Sequence, residues 1–410
     1  MRRAAILALA VLVAGVLAAP ASAKQATARS ALPIAALRAV LKARTDAQTR
    51  KDRNAYAATI DPQATGAFRD AQLRAYDGLA SLPVTSVSYE IDPADADVDL
   101  TRGVDAAKYG NAPVALVATT RVLRFTYDAR SSYDAMFWTF VERGSQWYIG
   151  GDDDLTDLGL ETTNSMWDNG PVVVAQSAHF QLIAHPDHQA RAQALLGLAE
   201  QALTTLGPRW KLPWSQQLVG FVPSSPNELG DLIQASVDVT KYVAFVGYSF
   251  NADTLKPTVP RLYVQDTNLS RYSDAGQVDT LVHEFTHAAG SAYASSFIPS
   301  WIHEGLAEWI RSGPDKRDPR GPGAGNHAPR NDEFGAGTQA QISQAYRDAQ
   351  SLIATLSRVA GPSGPLDLFT HIGAEAVRPG AQSYVVSAEL EKLGVTGGTD
   401  GLVADWIAGK

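Results

Sequence analysis

The sequence predicts an α+β protein that is built from two domains. Its 410 residues, of which 45% are hydrophobic, suffice for two cores at roughly 150 residues per domain. Residues 31–160 have the pattern of helices followed by strands, whereas the chain from residue 274 onward is mainly helical. We therefore expect helices on a curved antiparallel sheet first, and then, over residues 170–410, a mainly helical domain with a small sheet.

Two helices and four strands are predicted in the first of these domains. The apolar stripe of Leu37, Val40 and Leu41 indicates one helix, and a second is expected over 67–80, before Pro83. Segments rich in Val, Thr and aromatic residues then alternate with turn residues, which is typical of an antiparallel meander. The predicted strands are 84–91, 114–127, 133–141 and 146–149.

A linker is expected between the domains, over residues 152–170. It begins with the acidic triplet Asp152-Asp153-Asp154, and such triplets are usually solvated turns. Beyond it the sequence predicts a strand pair at 172–175 and 179–184 and a helix at 189–206. Further strands are predicted at 217–222 and 261–265.

Residues 1–23 have the three parts of a secretory signal peptide. Arg2 and Arg3 precede the apolar run 4–18, and the small residues Ala21-Ser22-Ala23 form a cleavage site. The apolar run is shorter than the ~20 residues that a membrane-spanning helix needs. We therefore expect a secreted protein that retains no integral membrane segment after cleavage.

Charge and cysteine content exclude several classes of protein. The chain has 35 basic and 43 acidic residues and no basic run, which argues against nucleic acid or an anionic membrane as partner. It has no cysteine, so no disulfide can contribute to its stability.

The stretch LVHEFTHAAG carries the strongest chemical signal in the chain. His283 and His287 are four residues apart, so on a helix both imidazoles can point at one metal ion. Glu284 is turned by about 100° and can reach a water on that ion without binding it. Ser273 and Asp274 are candidate caps for this helix, and Gly290 is a candidate C-terminal stop.

A second helix is predicted in IPSWIHEGLAEWIRSGP, capped by Ser300 and ending near Gly313. A catalytic zinc site usually has three protein ligands and a water, and Glu304 is a candidate for the third ligand. Glu308 lies one turn later and can accept the outer N–H of a ligating histidine. His303 is expected to lie behind the ligands or at the surface.

HEFTH followed after 16 residues by EGLAE resembles the gluzincin metallopeptidases, especially the peptidase MA-like branch. The resemblance implies one Zn²⁺ held by His283, His287 and Glu304, with Glu284 as general base. It also places Tyr346, in QAYRDAQSLIATLSRVAG, as a support for the oxyanion. The implied function is zinc-dependent hydrolysis of a peptide or protein substrate. Because no G-x-M-E-N strand precedes the motif, endopeptidase and exopeptidase activity both stay open.

The segment TDAQTRKDRNAYAATIDPQA, with the helix and strands after it, resembles the NTF2-like cone domains. Such a domain can bind a ligand, act as a spacer or restrain the second domain, and we expect a spacer. The loop 312–338 is either a lid or a disordered insertion. The alternative function is a catalytically inactive, zinc-containing binding or scaffold protein. Cleavage specificity and oligomeric state do not follow from the sequence.

Overall fold

The structure is a computed structural model that describes residues 32–234, 238–248, 257–314, 321, 323–375 and 382–410. The predicted signal peptide lies outside these residues. Helices and small sheets occupy largely separate stretches of the chain, which confirms the α+β class. Within the described ranges, no helix is long and apolar enough to cross a membrane.

The first part of the chain, residues 32–169, will be called the N-terminal part. Its α1 and α3 coincide closely with the two predicted helices, and a short helix lies between them. The helices are α1 (Ile34–Thr49), α2 (Arg53–Ala57) and α3 (Gly66–Ser81). The strands are β1 (Val84–Glu90), β2 (Val114–Leu116), β3 (Thr119–Phe125), β4 (Ser132–Met136), β5 (Thr139–Arg143) and β6 (Gln146–Gly151).

Two of the predicted long strands are each broken in two. The strands form two antiparallel sheets, β1-β3-β4 and β2-β5-β6. Leu116 pairs with Thr139 and Thr119 pairs with Met136, so both breaks fall at the same level of one hairpin. Trp138, inside the break, is buried in the core. The hairpin therefore bends around an apolar centre where a straight pair of strands was predicted.

The predicted solvated linker is exposed in places, as at Asp153, and packed against the protein in others. Met166 and Trp167 are buried in the core of the N-terminal part. The Asp154 side chain is only 5% exposed and accepts a hydrogen bond from Lys108 at 2.9 Å. The sequence did not predict these contacts, because buried polar groups such as the Asp154 carboxylate find their partners in distant segments.

The remaining chain, from residue 170, will be called the C-terminal part. Its first strands and helix agree with the prediction, whereas β10 and α5 were not predicted. The strands are β7 (Val173–Gln176), β8 (Phe180–Ala184), β9 (Leu218–Val222), β10 (Ala244–Gly247) and β11 (Arg261–Val264). The helices are α4 (Gln189–Leu206), α5 (Pro226–Ile233), α6 (Asp266–Leu269), α7 (Asp274–Gly290), α8 (Ser300–Ser312), α9 (Gln339–Val359), α10 (Gly364–Ala374), α11 (Gln382–Lys392) and α12 (Gly398–Ile407).

One mixed sheet, in the order β10-β11-β9-β8-β7, lies between the helices and the N-terminal part. Successive side chains of a strand point to opposite faces. In β9, Leu218 and Val222 accordingly join the helical core, while Val219 and Phe221 join the core of the N-terminal part. Removing the N-terminal part would expose this second apolar face, which argues against a detachable restraint.

A buried ion pair joins the two parts of the chain. Arg261, on β11, donates hydrogen bonds from both Nη atoms to the carboxylate of Asp128, in the turn after β3. The distance from Nη2 to Oδ2 is 2.6 Å. The two side chains are 8% and 1% exposed. A guanidinium and a carboxylate in this fork arrangement orient each other as well as attract. The pair therefore sets the register in which the N-terminal part docks on the sheet.

We expect Asp128→Asn to destabilise the whole chain, because Arg261 would remain buried without a counter-charge. Removing one partner of a buried pair costs about 3–5 kcal/mol of unfolding free energy. Asp46→Asn is the matched control, since the Lys42–Asp46 pair is 74% and 40% exposed, and it should leave stability nearly unchanged. Urea unfolding measures both variants. Equal stabilities for the two would contradict the docking role.

Candidate metal centre

Helix α7 carries both histidines and begins where the sequence indicates. The Ser273 hydroxyl caps the helix by accepting the N–H of Gly276 at 3.3 Å. Phe285 stacks on Phe180 of β8 with 4.9 Å between ring centroids, which fixes the helix on the sheet. The opposite face of the helix presents His283 and His287, both fully buried, and their Nε2 atoms lie 3.0 Å apart.

Helix α8 brings the third donor to the same point. Its first residue is Ser300, so the predicted cap is wrong by one residue. Pro299 holds the N-cap position instead, and the Asn331 side chain accepts the Ser300 N–H at 2.9 Å. Glu304 Oε2 lies 3.3 Å from Nε2 of His283 and 3.4 Å from Nε2 of His287. This buried group of three donor atoms could hold a metal ion.

The three side chains of this triangle influence one another's charge. Burial opposes ionisation of Glu304, but His287 and His283 outweigh it and keep the pKa of the carboxyl below its usual range. Burial also opposes protonation of His283, yet Glu304 and Glu308 raise its pKa to about 10. Burial lowers the pKa of His287. Because a metal ion binds the deprotonated forms of its ligands, a metal ion at this triangle would compete with a proton on His283.

Glu308 lies beside His283. Its Oε1 lies 3.0 Å from Nδ1 of His283, on the side of the ring that faces away from the triangle. Arg311, one turn later, donates from Nε to Oε2 of Glu308 at 3.1 Å. A carboxylate behind a ligating imidazole fixes the tautomer and the orientation of the ring. The sequence left open which histidine Glu308 would contact, and the structure places it behind His283.

Glu284 is held by a strand that was not predicted. Its Oε2 accepts the backbone N–H of Val246, in β10, at 2.8 Å, while Oε1 has no hydrogen-bond partner among the described residues. Burial raises the pKa of this carboxyl to about 8, and the negative charge of Glu304 adds to the effect. One oxygen of Glu284 is thus fixed and the other is free to exchange a proton.

His303 and Tyr248 extend the centre beyond the predicted residues. The His303 ring stacks on His287 with 4.5 Å between centroids and 10° between planes, so it lies behind this candidate ligand and is half-buried. Its Nε2 lies 2.7 Å from the hydroxyl of Tyr248, just after β10. Burial, with the neighbouring His287, lowers the pKa of His303 to about 3 and keeps the ring neutral. In the sequence, the apolar run 242–246 indicates a strand just before Tyr248, but nothing in it indicates the contact with His303.

Tyr346 lies beside the centre, on α9. Its ring centroid is 6.4 Å from that of His283, and the ring packs edge-on against Phe334. The buried hydroxyl has no hydrogen-bond partner among the described residues. Burial raises the pKa of Tyr346 well above its ordinary value, and the charges of Glu304 and Glu308 act in the same direction. The hydroxyl therefore stays protonated and can serve as a donor.

Part of the loop 312–338 borders this centre. Residues 315–320 and 322 lie outside the described residues, so the choice between lid and insertion is untested. The later part packs against the helices. Gly325 donates its N–H to Asp348 of α9 at 2.9 Å, and Phe334 is buried against Tyr346.

Comparisons with family models, curated proteins and solved structures gave no match for this chain. The resemblances to the gluzincin and NTF2-like families therefore stay predictions.

We expect Glu308→Gln to weaken metal binding by about 10–100-fold, because His283 would lose the carboxylate that lies 3.0 Å from its Nδ1. Competition with a chromophoric chelator measures the affinity of the metal-stripped protein for a divalent ion. The matched control is Glu391→Gln, an exposed position on α11, and it should bind metal like the wild type. Equal affinities for the two variants would remove Glu308 from the centre.

Proposed function

We propose that this chain is a secreted, zinc-dependent peptidase. One observation carries the proposal, which is the buried triangle of His283, His287 and Glu304 with edges of 3.0, 3.3 and 3.4 Å. Zinc bonds of ~2.0–2.1 Å in a tetrahedron imply edges of roughly 3.3 Å between donor atoms. Two imidazoles and a carboxylate also suit zinc better than the harder cations.

The donor set leaves one coordination position for a water or a substrate. The described residues offer three donors at this point, which is the number found in catalytic zinc sites, whereas structural sites usually have four. Zinc bound there would lower the pKa of a coordinated water and polarise the scissile carbonyl. Three donors, where a structural site usually has four, favour catalysis over a purely structural role.

Glu284 is the candidate for the proton transfers. Its free Oε1 can accept a proton from the attacking water and pass it to the leaving amine. The bond from Val246 holds the carboxylate in place through both transfers. A group that must gain and lose a proton near neutral pH works best with a shifted pKa, and burial raises the pKa of Glu284 above its usual range.

Tyr346 is the candidate donor for the oxyanion of the tetrahedral intermediate. Its hydroxyl is buried, protonated and unpartnered in the described chain, and a preorganised donor of this kind needs no rearrangement during the reaction. Export of the protein is supported only by the signal sequence in residues 1–23. Endopeptidase and exopeptidase activity both stay open.

The first test is Glu284→Gln. We expect this variant to bind zinc like the wild type and to cleave about 10²–10⁴-fold more slowly, because the amide cannot accept the proton. The assays are metal analysis and digestion of an unstructured casein-like protein and a peptide library, each with and without chelator. A variant that cleaves at the wild-type rate would refute the role of Glu284. Zinc content without cleavage of any peptide by the wild type would favour the inactive scaffold.

The second test is Tyr346→Phe. Loss of one oxyanion donor should lower kcat by about 10²–10³-fold and leave KM and zinc content unchanged. Tyr384→Phe is the control, since that ring is 78% exposed and lies outside the centre. Equal kcat values for the two variants would exclude Tyr346 from catalysis.

A further inference from the structure

A cavity lies entirely within the N-terminal part and shares no residue with the candidate metal centre. It has a volume of about 470 Å³, and α3, β1 and the segment 152–169 contribute to its walls. Its aromatic walls are formed by Tyr56, Tyr89, Trp138 and Trp167, all buried. This volume is in the range of pockets that hold small molecules.

The floor of the cavity contains a buried guanidinium. Arg44 is fully buried, with its charged group 3.9 Å from the ring centroid of Tyr56 and 4.6 Å from that of Trp138. Its Nη atoms bind Thr59 and Gln72, and Gln72 in turn donates to Asp152 at 3.0 Å. Arg44 and Asp152 therefore balance each other through Gln72. Buried charges contribute little to stability compared with apolar residues of similar size, so this arrangement points to binding rather than to a spacer.

The second guanidinium in the wall, Arg121, is already neutralised. Its Nε lies 3.0 Å from Asp134, and its Nη2 donates to Ser165 at 2.6 Å. Asp168 also lines the cavity, but its hydrogen bond comes from the backbone N–H of Ser165 at 2.8 Å, a neutral donor. Within the described residues, neither Asp152 nor Asp168 forms an ion pair.

Negative charge is thus in excess around the cavity. Asp134, Asp152, Asp168 and the exposed Glu161 stand against two guanidinium groups. Burial raises the pKa of Asp152 to about 6, and the charges of Asp153 and Asp168 act in the same direction, although Arg44 opposes them. Burial also raises the pKa of Asp168, although Arg121 opposes it. A cation between these two carboxylates would relieve both effects.

Three hydrogen-bond donors in this region lack a partner, but a ligand cannot reach them. Nε of Arg44 and Nε1 of both Trp138 and Trp167 are buried without a hydrogen bond and have almost no solvent-accessible surface. An anion entering the cavity would therefore meet carboxylates at its walls and find no accessible cationic group without a partner. A cation would meet carboxylates, and an apolar group attached to it could pack against the aromatic rings, which already carry the guanidinium groups of Arg44 and Arg121.

We propose that this cavity binds a small organic cation, in which an ammonium or amidinium group is attached to a flat apolar body. The charged group would lie between Asp152 and Asp168, and the apolar body would pack against Trp138 and Trp167. An inorganic cation would leave the aromatic walls unused. The site is separate from the proposed zinc centre, and its occupation does not depend on hydrolysis.

Calorimetric titration of the full chain with benzylammonium tests the proposal, with benzyl alcohol and benzoate as probes of similar shape. We expect saturable binding of one benzylammonium per chain, at least about tenfold tighter than benzyl alcohol, and no binding of benzoate. The titrations are done on chelator-treated protein, so they remain valid even if the proposed peptidase activity is wrong. Benzoate binding as tightly as benzylammonium, or no saturable binding of benzylammonium, would overturn the proposal.

Asp168→Asn identifies the site of binding. The amide keeps an acceptor for the Ser165 N–H and loses only the charge, so benzylammonium should bind about tenfold or more weakly while benzyl alcohol is unaffected. Asp157→Asn, exposed and three residues beyond the acidic triplet, is the matched control and should bind like the wild type. If Asp168→Asn does not fold by circular dichroism, Asp152→Asn replaces it with the same expectation. Unchanged benzylammonium affinity in the folded variant would overturn the proposal.

Discussion

The structure of the metal centre depends on how ionisable side chains are paired inside an apolar core. His283, His287, Glu284, Glu304 and Glu308 are all at most 4% exposed. Leaving any one of these charges unpaired would cost several kcal/mol, so their mutual positions are strongly constrained. Glu304 and Glu308 are paired with His283, Glu308 also with Arg311, and Glu284 is held by a backbone N–H. The contacts that offset the burial of these charges are therefore the same contacts that arrange the candidate metal ligands.

Close packing of three helices makes this pairing possible. α7 supplies the imidazoles, α8 the carboxylates, and α9 closes the third side with Tyr346. α9 approaches α8 at Gly305, where a Cβ atom would lie 2.7 Å from the carbonyl oxygen of Ala349. Only glycine allows that approach, and Gly305 directly follows the proposed ligand Glu304. The glycine of EGLAE thus brings Tyr346 within reach of the centre.

Much of the centre could be predicted from the sequence because helical spacing is a local property. The four-residue intervals of His283 and His287, and of Glu304 and Glu308, determine which side chains share a helix face. α4 agrees with the predicted helix at both ends, for the same reason. Contacts between distant segments could not be predicted in this way. The Val246 N–H that binds Glu284 belongs to a four-residue strand whose place beside α7 is a tertiary feature. The contacts of Asp154 with Lys108 and Thr139 likewise join distant segments, which spacing does not predict.

The edge strand β10 connects the chemistry of the centre with the rest of the fold. It pairs with β11 on one side, and on the other its Val246 N–H holds the carboxylate of Glu284. Two residues later, Tyr248 is bonded to His303, whose ring lies flat on His287. A shift of this one strand would move the proposed base and the ring behind a proposed ligand together. Because β10 is joined to β11, and Arg261 of β11 binds Asp128, the position of this strand is tied to the docking of the N-terminal part. The N-terminal part therefore belongs to the framework that orients the centre, even though it contributes no residue to the metal-binding triangle.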